Sequence, residues 1–211
     1  MAKIYTKEQF EPFAKDVFVE LMRDTERYGK LDLCDKPDFK SVDNSVGIEF
    51  TLIGAESYFH AVGTYVEEAY DKMDSRKIEK YEKKIKSCGW QIDKQGFCTN
   101  VWDSGEVTSW IKKSFENKIE ELQNYSNCLD YILLMWGVQN LADYKNSKIL
   151  KDLLNFFIQK NTKEKKYSLV YYFTFRYYLL FDLVAKEFKV TEFDENTIDK
   201  IENIFLRYNK L

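Results

Sequence analysis

Val46-Gly47-Ile48-Glu49-Phe50-Thr51-Leu52-Ile53 is a β-branched and aromatic run closed by Gly54, and it predicts a strand. Side chains alternate between the two faces of an extended chain. Ile48, Phe50 and Leu52 therefore share one face, and Gly47, Glu49, Thr51 and Ile53 share the other. Glu49 is the residue out of place, a carboxylate inside an otherwise apolar strand. Burying it is costly unless something compensates its charge. Lys36-Pro37-Asp38-Phe39 lies seven residues before Gly47. Asp38 follows a proline at a loop or strand end, from where it can approach the face that carries Glu49. Two converging carboxylates are the donor set of a hard divalent cation, because Mg²⁺ takes a few carboxylate oxygens and keeps several waters.

Working outward, residues 6–28 read as an amphipathic helix. Thr6 and Gln9 have capping-box spacing, and Phe10, Phe13, Val17 and Leu21 form the apolar face. Residues 31–45 read as polar turns. Residues 55–87 look helical, and Gly89 to Phe97 suggests a small hairpin around Lys94-Gln95-Gly96. Val107 to Tyr125 returns to helical periodicity. Leu129 to Trp136 is a second strand, residues 144–160 a helix, Leu169 to Phe175 a third strand whose apolar run continues to Val184 and can turn helical, and Glu195 to Tyr208 a closing helix. Strand, helix and strand in succession favour an α/β fold with a mixed central sheet flanked by helices. Residues 1–211 are expected to form a single domain, with a helix and hairpin insertion at about 76–106.

The Pro37-Asp38 and Glu49-Phe50-Thr51 elements resemble the PD-(D/E)xK nuclease superfamily, closely over residues 37–51 and loosely in the wider helix and strand order. The resemblance implies a restriction-endonuclease-like core. It also implies Mg²⁺ (or Mn²⁺) held by an Asp in one strand and an acid in the next, here Asp38 and Glu49, with a Lys two residues further on assisting the attacking water. Thr51 stands at that Lys position, a departure from the motif. Its hydroxyl can hydrogen-bond a metal water but cannot replace an ammonium charge.

The helix after the insertion offers a substitute. At about 100° per residue, Lys118 falls inside the stripe of Val107, Ile111, Phe115, Ile119 and Leu122, whereas Lys112, Lys113 and Glu116 fall outside it. A lysine there must snorkel, pair or serve a site. Some members of the superfamily carry the Lys on the following helix, so Lys118 is expected to point back at Glu49. The superfamily often adds a Glu from its first helix, which implies Glu20 as a third metal ligand, with Asp24 the alternate.

The composition narrows the rest. The 211 residues carry 32 Lys+Arg and 35 Asp+Glu, a net charge of -3, which excludes a uniformly cationic nucleic-acid coat. The charge is unevenly placed. Residues 1–75 hold 9 Lys/Arg against 16 Asp/Glu, and the remainder nets +4. A hydrophobic share of 45% excludes disorder and supports a sizeable core. Cys34, Cys88, Cys98 and Cys128 show no Cys-x-x-Cys spacing and read as reduced thiols. No signal peptide or membrane-spanning run is visible, so a cytoplasmic protein with no membrane partner is expected. Arg76 to Lys86 reads as a solvated charge run or a phosphate grip, and Tyr171, Tyr172, Tyr177 and Tyr178 as core. His60, the sole histidine, reads as structural or exposed. No phosphate-binding loop, dinucleotide fingerprint, HExxH or GxSxG pattern occurs.

The expectation is a metal-dependent nuclease hydrolysing phosphodiester bonds of nucleic acid, DNA before RNA. Its catalytic residues are Asp38, Glu49, Lys118 and Thr51, its metal ligands Asp38, Glu49 and Glu20, and a homodimer is compatible. Thr51 and the acidic balance favour a second reading. It is a non-catalytic binding or inhibitor protein on the same fold, such as a mobile-element anti-defence or adaptor protein with a protein partner. A third is a helical interaction protein in which Glu49 is exposed on an edge strand.

Overall fold

The computed structural model describes residues 7–22, 25–28, 30–54, 76, 79–80, 83, 91–92, 98–99, 104–137, 141 and 143–208. The chain opens with α1 (Lys7–Met22) and a short α2 (Thr25–Tyr28), followed by β1 (Leu31–Leu33), β2 (Phe39–Ser41) and β3 (Val46–Ile53). A two-residue pair, β4 (Gln91–Ile92) and β5 (Cys98–Thr99), precedes α3 (Ser104–Leu122) and β6 (Asp130–Gly137). Then come α4 (Ser147–Lys160), β7 (Leu169–Phe173), β8 (Tyr177–Asp182), β9 (Glu187–Glu192) and α5 (Glu195–Tyr208).

Seven strands form one mixed sheet in the order β1-β2-β3-β6-β7-β8-β9. β3 and β6 are parallel, as are β6 and β7; the other neighbours are antiparallel. The class is therefore α/β with a mixed sheet, as the sequence suggests. β4 and β5 pair antiparallel as a separate ladder, which agrees with a hairpin around residues 94–96. Most of the helix expected at 55–87, most of the Arg76 to Lys86 run, and His60 lie outside the described residues.

Period-two alternation sorts the sheet's side chains into two cores. Tyr131, Leu133 and Met135 of β6, with Tyr177, Leu179 and Phe181 of β8, meet α3 and α4 through Phe115, Ile119, Leu153 and Phe157. Ile132, Leu134 and Trp136, with Ile48 and Phe50 of β3, meet α1 and α5 through Phe13, Val17, Phe18 and Ile201. The result is a helix–sheet–helix sandwich. β3 and β6 lie near its middle and are buried along most of their length. No described helix is long and apolar enough to cross a membrane.

Three sequence expectations need correction. Residues 31–45 contain two strands as well as turns. β1 and β2 are three residues each, too short for periodicity to register, and Asn44 takes a left-handed φ of 60° at the turn into β3. The apolar run after Phe173 does not become helical. Thr174 Oγ1 accepts from the Arg176 and Tyr177 amides at 3.1 Å and turns the chain back as β8, whose residues alternate buried and half-buried. β9 was unforeseen because Glu187, Lys189 and Glu192 dilute its apolar content. Charges of this kind are usual on an edge strand, where they discourage pairing with another chain.

Gly47 marks the tightest approach in the sheet's acidic corner. A Cβ there would lie 2.9 Å from Pro37 Cγ, 3.0 Å from Cys128 Sγ and 3.2 Å from Tyr131 Cδ1. Neither a proline ring nor a buried tyrosine yields easily. Gly47→Ala is expected to cost about 1–3 kcal/mol through overpacking, read as a lower urea midpoint with an unchanged denaturant slope.

Candidate metal and phosphate site

β2 and β3 bring the two acids together. Their register pairs Phe39 with Ile48 and Lys40 with Gly47, and Asp38, the residue before β2, reaches the backbone of the residue after Glu49. Asp38 is held by its own backbone and by its carboxylate. Its carbonyl accepts from the Cys34 amide at 2.9 Å, and Oδ2 accepts from the Phe50 amide at 2.7 Å. The Cys34 thiol donates to the Pro37 carbonyl at 2.8 Å and tightens the same loop. Both acids are buried, Asp38 at 6% exposure and Glu49 at 2%.

α3 covers this face of the sheet. Val107, Ile111, Phe115, Ile119 and Leu122 are all buried, which is the stripe expected from the sequence. Lys118 lies within it, and its Nζ sits 2.7 Å from Glu49 Oε1. The compensation that a buried glutamate demands thus arrives from a helix almost seventy residues further along the chain. The same ammonium donates to Glu121 Oε2 at 2.6 Å. Tyr125 completes the group. Its hydroxyl is 3.4 Å from Glu121 Oε2.

The helix end that carries these residues is anchored to the loop before β7. Gln123 exchanges side-chain hydrogen bonds with the Lys165 backbone, donating at 2.9 Å and accepting at 3.1 Å. Lys165 Nζ donates to the Tyr125 carbonyl, and the Tyr167 hydroxyl to the Lys118 carbonyl at 3.2 Å. Ser126 Oγ donates to the Lys36 carbonyl at 3.1 Å, which ties the end of α3 to the loop that presents Asp38.

The electrostatics follow from burial and charge. Burial disfavours the charged form of Lys118, but the Glu49 carboxylate, together with hydrogen bonds to Glu121 and Glu49, outweighs it. The Lys118 pKa therefore lies above the ordinary lysine value. Burial raises Tyr125, and the charges of Glu49, Glu121 and Asp38 raise it further. Tyr167 is raised well above its ordinary value by the same causes. These phenols stay protonated at neutral pH and serve as donors.

The structure thus gathers Asp38, Glu49 and Lys118. Thr51 lies one pleat beyond Glu49 on the same face, half-buried and in register with Met135. Glu20 does not join them. It lies on α1, which packs against the opposite face of the sheet, and its Oε1 pairs with Lys200 of α5 at 3.1 Å. Asp24 lies outside the described residues. Glu121 and Tyr125 escaped the sequence reading. The available signal was spacing, since Glu121 follows Lys118 by three residues on α3 and Tyr125 comes just past the helix end.

By donor chemistry the residues fit a small hard cation. Asp38 and Glu49 offer carboxylate oxygens, and Glu49 Oε1 is already paired with the Lys118 ammonium at 2.7 Å. Among the described residues no three His, Cys, Asp or Glu side chains gather at one point. Such an ion would take two protein carboxylates and fill its shell with water, as Mg²⁺ does.

No protein-family model matches the chain, and neither a curated protein nor a solved structure does.

Removing Lys118 leaves Glu49 buried without its ion pair. Lys118→Met is expected to cost about 3–5 kcal/mol in urea unfolding, and a Glu49→Gln/Lys118→Met double variant to recover most of it. Because the folded-state pKa of Lys118 is raised, its stabilisation is complete at neutral pH and fades only as the pH climbs through that raised value. The gap between wild type and Lys118→Met should therefore be flat from pH 6 to 9 and narrow in more alkaline buffer. A single variant within 1 kcal/mol of wild type at pH 7 would mean that the pair carries no structural weight.

Proposed function

We propose that the protein is a Mg²⁺- or Mn²⁺-dependent phosphodiesterase acting on nucleic acid, DNA before RNA, on a restriction-endonuclease-like core with an insertion before α3. The observation that carries this reading is the Lys118–Glu49 contact beside Asp38. It sets a largely buried ammonium against Glu49, and it supplies from α3 the charge that Thr51 lacks.

Asp38 and Glu49 would hold the metal. When bound, it supplies a water of lowered pKa and polarises the scissile phosphate. Asp38 is oriented for this by the Phe50 amide, and Glu49 by the strand that carries it. Lys118 steadies negative charge as it develops on the phosphate oxygens, because an ammonium held in a partly desolvated site is already aimed and needs little reorganisation. The Tyr125 hydroxyl reaches the Glu121 carboxylate, the other acid that Lys118 contacts. Thr51, half-buried on the same face, would hydrogen-bond a metal water.

A second reading draws on the same contact. Glu49 is neutralised by Lys118, which suits a buried structural pair in a protein that binds a partner without cleaving it. The two readings part in a supercoiled-plasmid assay with Mg²⁺. Wild type is expected to nick and linearise the plasmid. Lys118→Gln should slow cleavage by about 10²–10³-fold, Asp38→Asn and Glu49→Gln should abolish it, and EDTA should stop the wild type. Cleavage by Glu49→Gln at the wild-type rate would remove Glu49 from the site. No cleavage of single- or double-stranded DNA or RNA by folded wild type in Mg²⁺ or Mn²⁺ would leave the binding-protein reading in its place.

A further inference from the structure

We propose that Glu121 is a positioning residue that takes Lys118 over from Glu49 when a divalent cation binds, so that one lysine serves as a structural counter-ion in the empty protein and as a phosphate-facing cation in the loaded one. The proposal rests on the metal-site reading of Asp38 and Glu49.

A single ammonium bridges two carboxylates at nearly equal distance, 2.7 Å to Glu49 Oε1 and 2.6 Å to Glu121 Oε2. The two acids differ in everything else. The Glu49 side chain is 3% exposed and belongs to a strand buried between two helical layers. The Glu121 side chain is 52% exposed and sits three residues from Lys118 on α3. A dication on Glu49 repels an ammonium on the same carboxylate, and the repulsion is strong where water is scarce. Lys118 then has to leave Glu49 or keep the metal out.

Glu121 makes leaving easy. Residues three apart on a helix are neighbours, so the ammonium keeps one bond while it gives up the other. The change needs only side-chain rotations, with no movement of α3. The Tyr125 hydroxyl already reaches Glu121 at 3.4 Å and can remain a donor to it throughout. Lys118 stays charged, at the rim of the site.

Calorimetric titration with MgCl₂ alone, without nucleic acid, tests this in wild type, Glu121→Gln, Lys118→Met and the double variant. Glu121→Gln is expected to weaken Mg²⁺ binding about tenfold, because Lys118 then has no second seat. Lys118→Met should bind at least as tightly as wild type, and adding Glu121→Gln to it should change the affinity by less than twofold. Glu121→Gln matching wild type overturns the handover. So does an equal loss in both backgrounds, which would mean that Glu121 acts through its own charge. Absence of Mg²⁺ binding by wild type refutes the metal site itself and the handover with it, a result distinct from either. Should Lys118→Met not fold, lysine Cε-labelled protein provides the readout. The Lys118 resonance should shift with Mg²⁺ in wild type, with a midpoint about tenfold higher in Glu121→Gln. An unmoved Lys118 resonance in Mg²⁺-saturated wild type overturns the proposal.

Discussion

A carboxylate sits where the fold is driest. Glu49 is almost fully buried on β3, a strand enclosed on both faces, and an isolated charge in such a place is costly. The molecule meets this demand with Lys118, and much of its architecture follows from bringing that ammonium into reach. α3 must lie on the Glu49 face of the sheet, in a rotation that turns Lys118 inward with the apolar stripe. Its C-terminal end must be held still, which Gln123, Lys165 and Tyr167 accomplish from the loop before β7. A fold shaped only by apolar burial would have no use for a glutamate here.

The two faces of the sheet divide the work. Toward α1 and α5 the contacts are largely aromatic. Trp136 meets Phe10, Phe13, Phe173 and Phe175, and Phe18 meets Tyr28, Tyr171 and Phe173. That face holds no member of the candidate site. Toward α3 the acidic corner lies at the β2–β3 end of the core, beside a hydrophobic cluster that runs through β6, β7 and β8. An apolar half thus backs a charged half, in which Lys118 meets Glu49. The Glu20–Lys200 pair belongs to the other layer, where it is partly exposed and joins α1 to α5. Surface pairs of that kind contribute little to stability.

Much of this was legible in the residues. β3 announced itself through β-branched and aromatic content, and its period of two put Glu49 and Thr51 on one face before any partner was known. The period of α3 put Lys118 among the apolar residues. A glutamate in a strand core and a lysine in a helix core each call for an opposite charge, and each proved to be the other's partner. Other elements were hidden for physical reasons. β1 and β2 are too short to show a period. β8 is as apolar as a buried helix, and only the Thr174 turn separates the two outcomes. β9 is diluted by the charges of an edge strand.

The sequence by itself determined the class of the fold, the identity of its two central strands, and the two residues whose charges had to be answered. Local periodicity carries that information, because it records which side of an element meets the core. Tertiary structure alone decided which charges answer them. Asp38 comes to the strand of Glu49 because β2 pairs with β3, where its carboxylate accepts from the Phe50 amide. Glu121 and Tyr125 enter the site because α3 lies on that face with its end pinned, and Glu20 is set apart because α1 packs against the other. Register and layer assignment depend on pairings between distant segments, and no local pattern of residues specifies them.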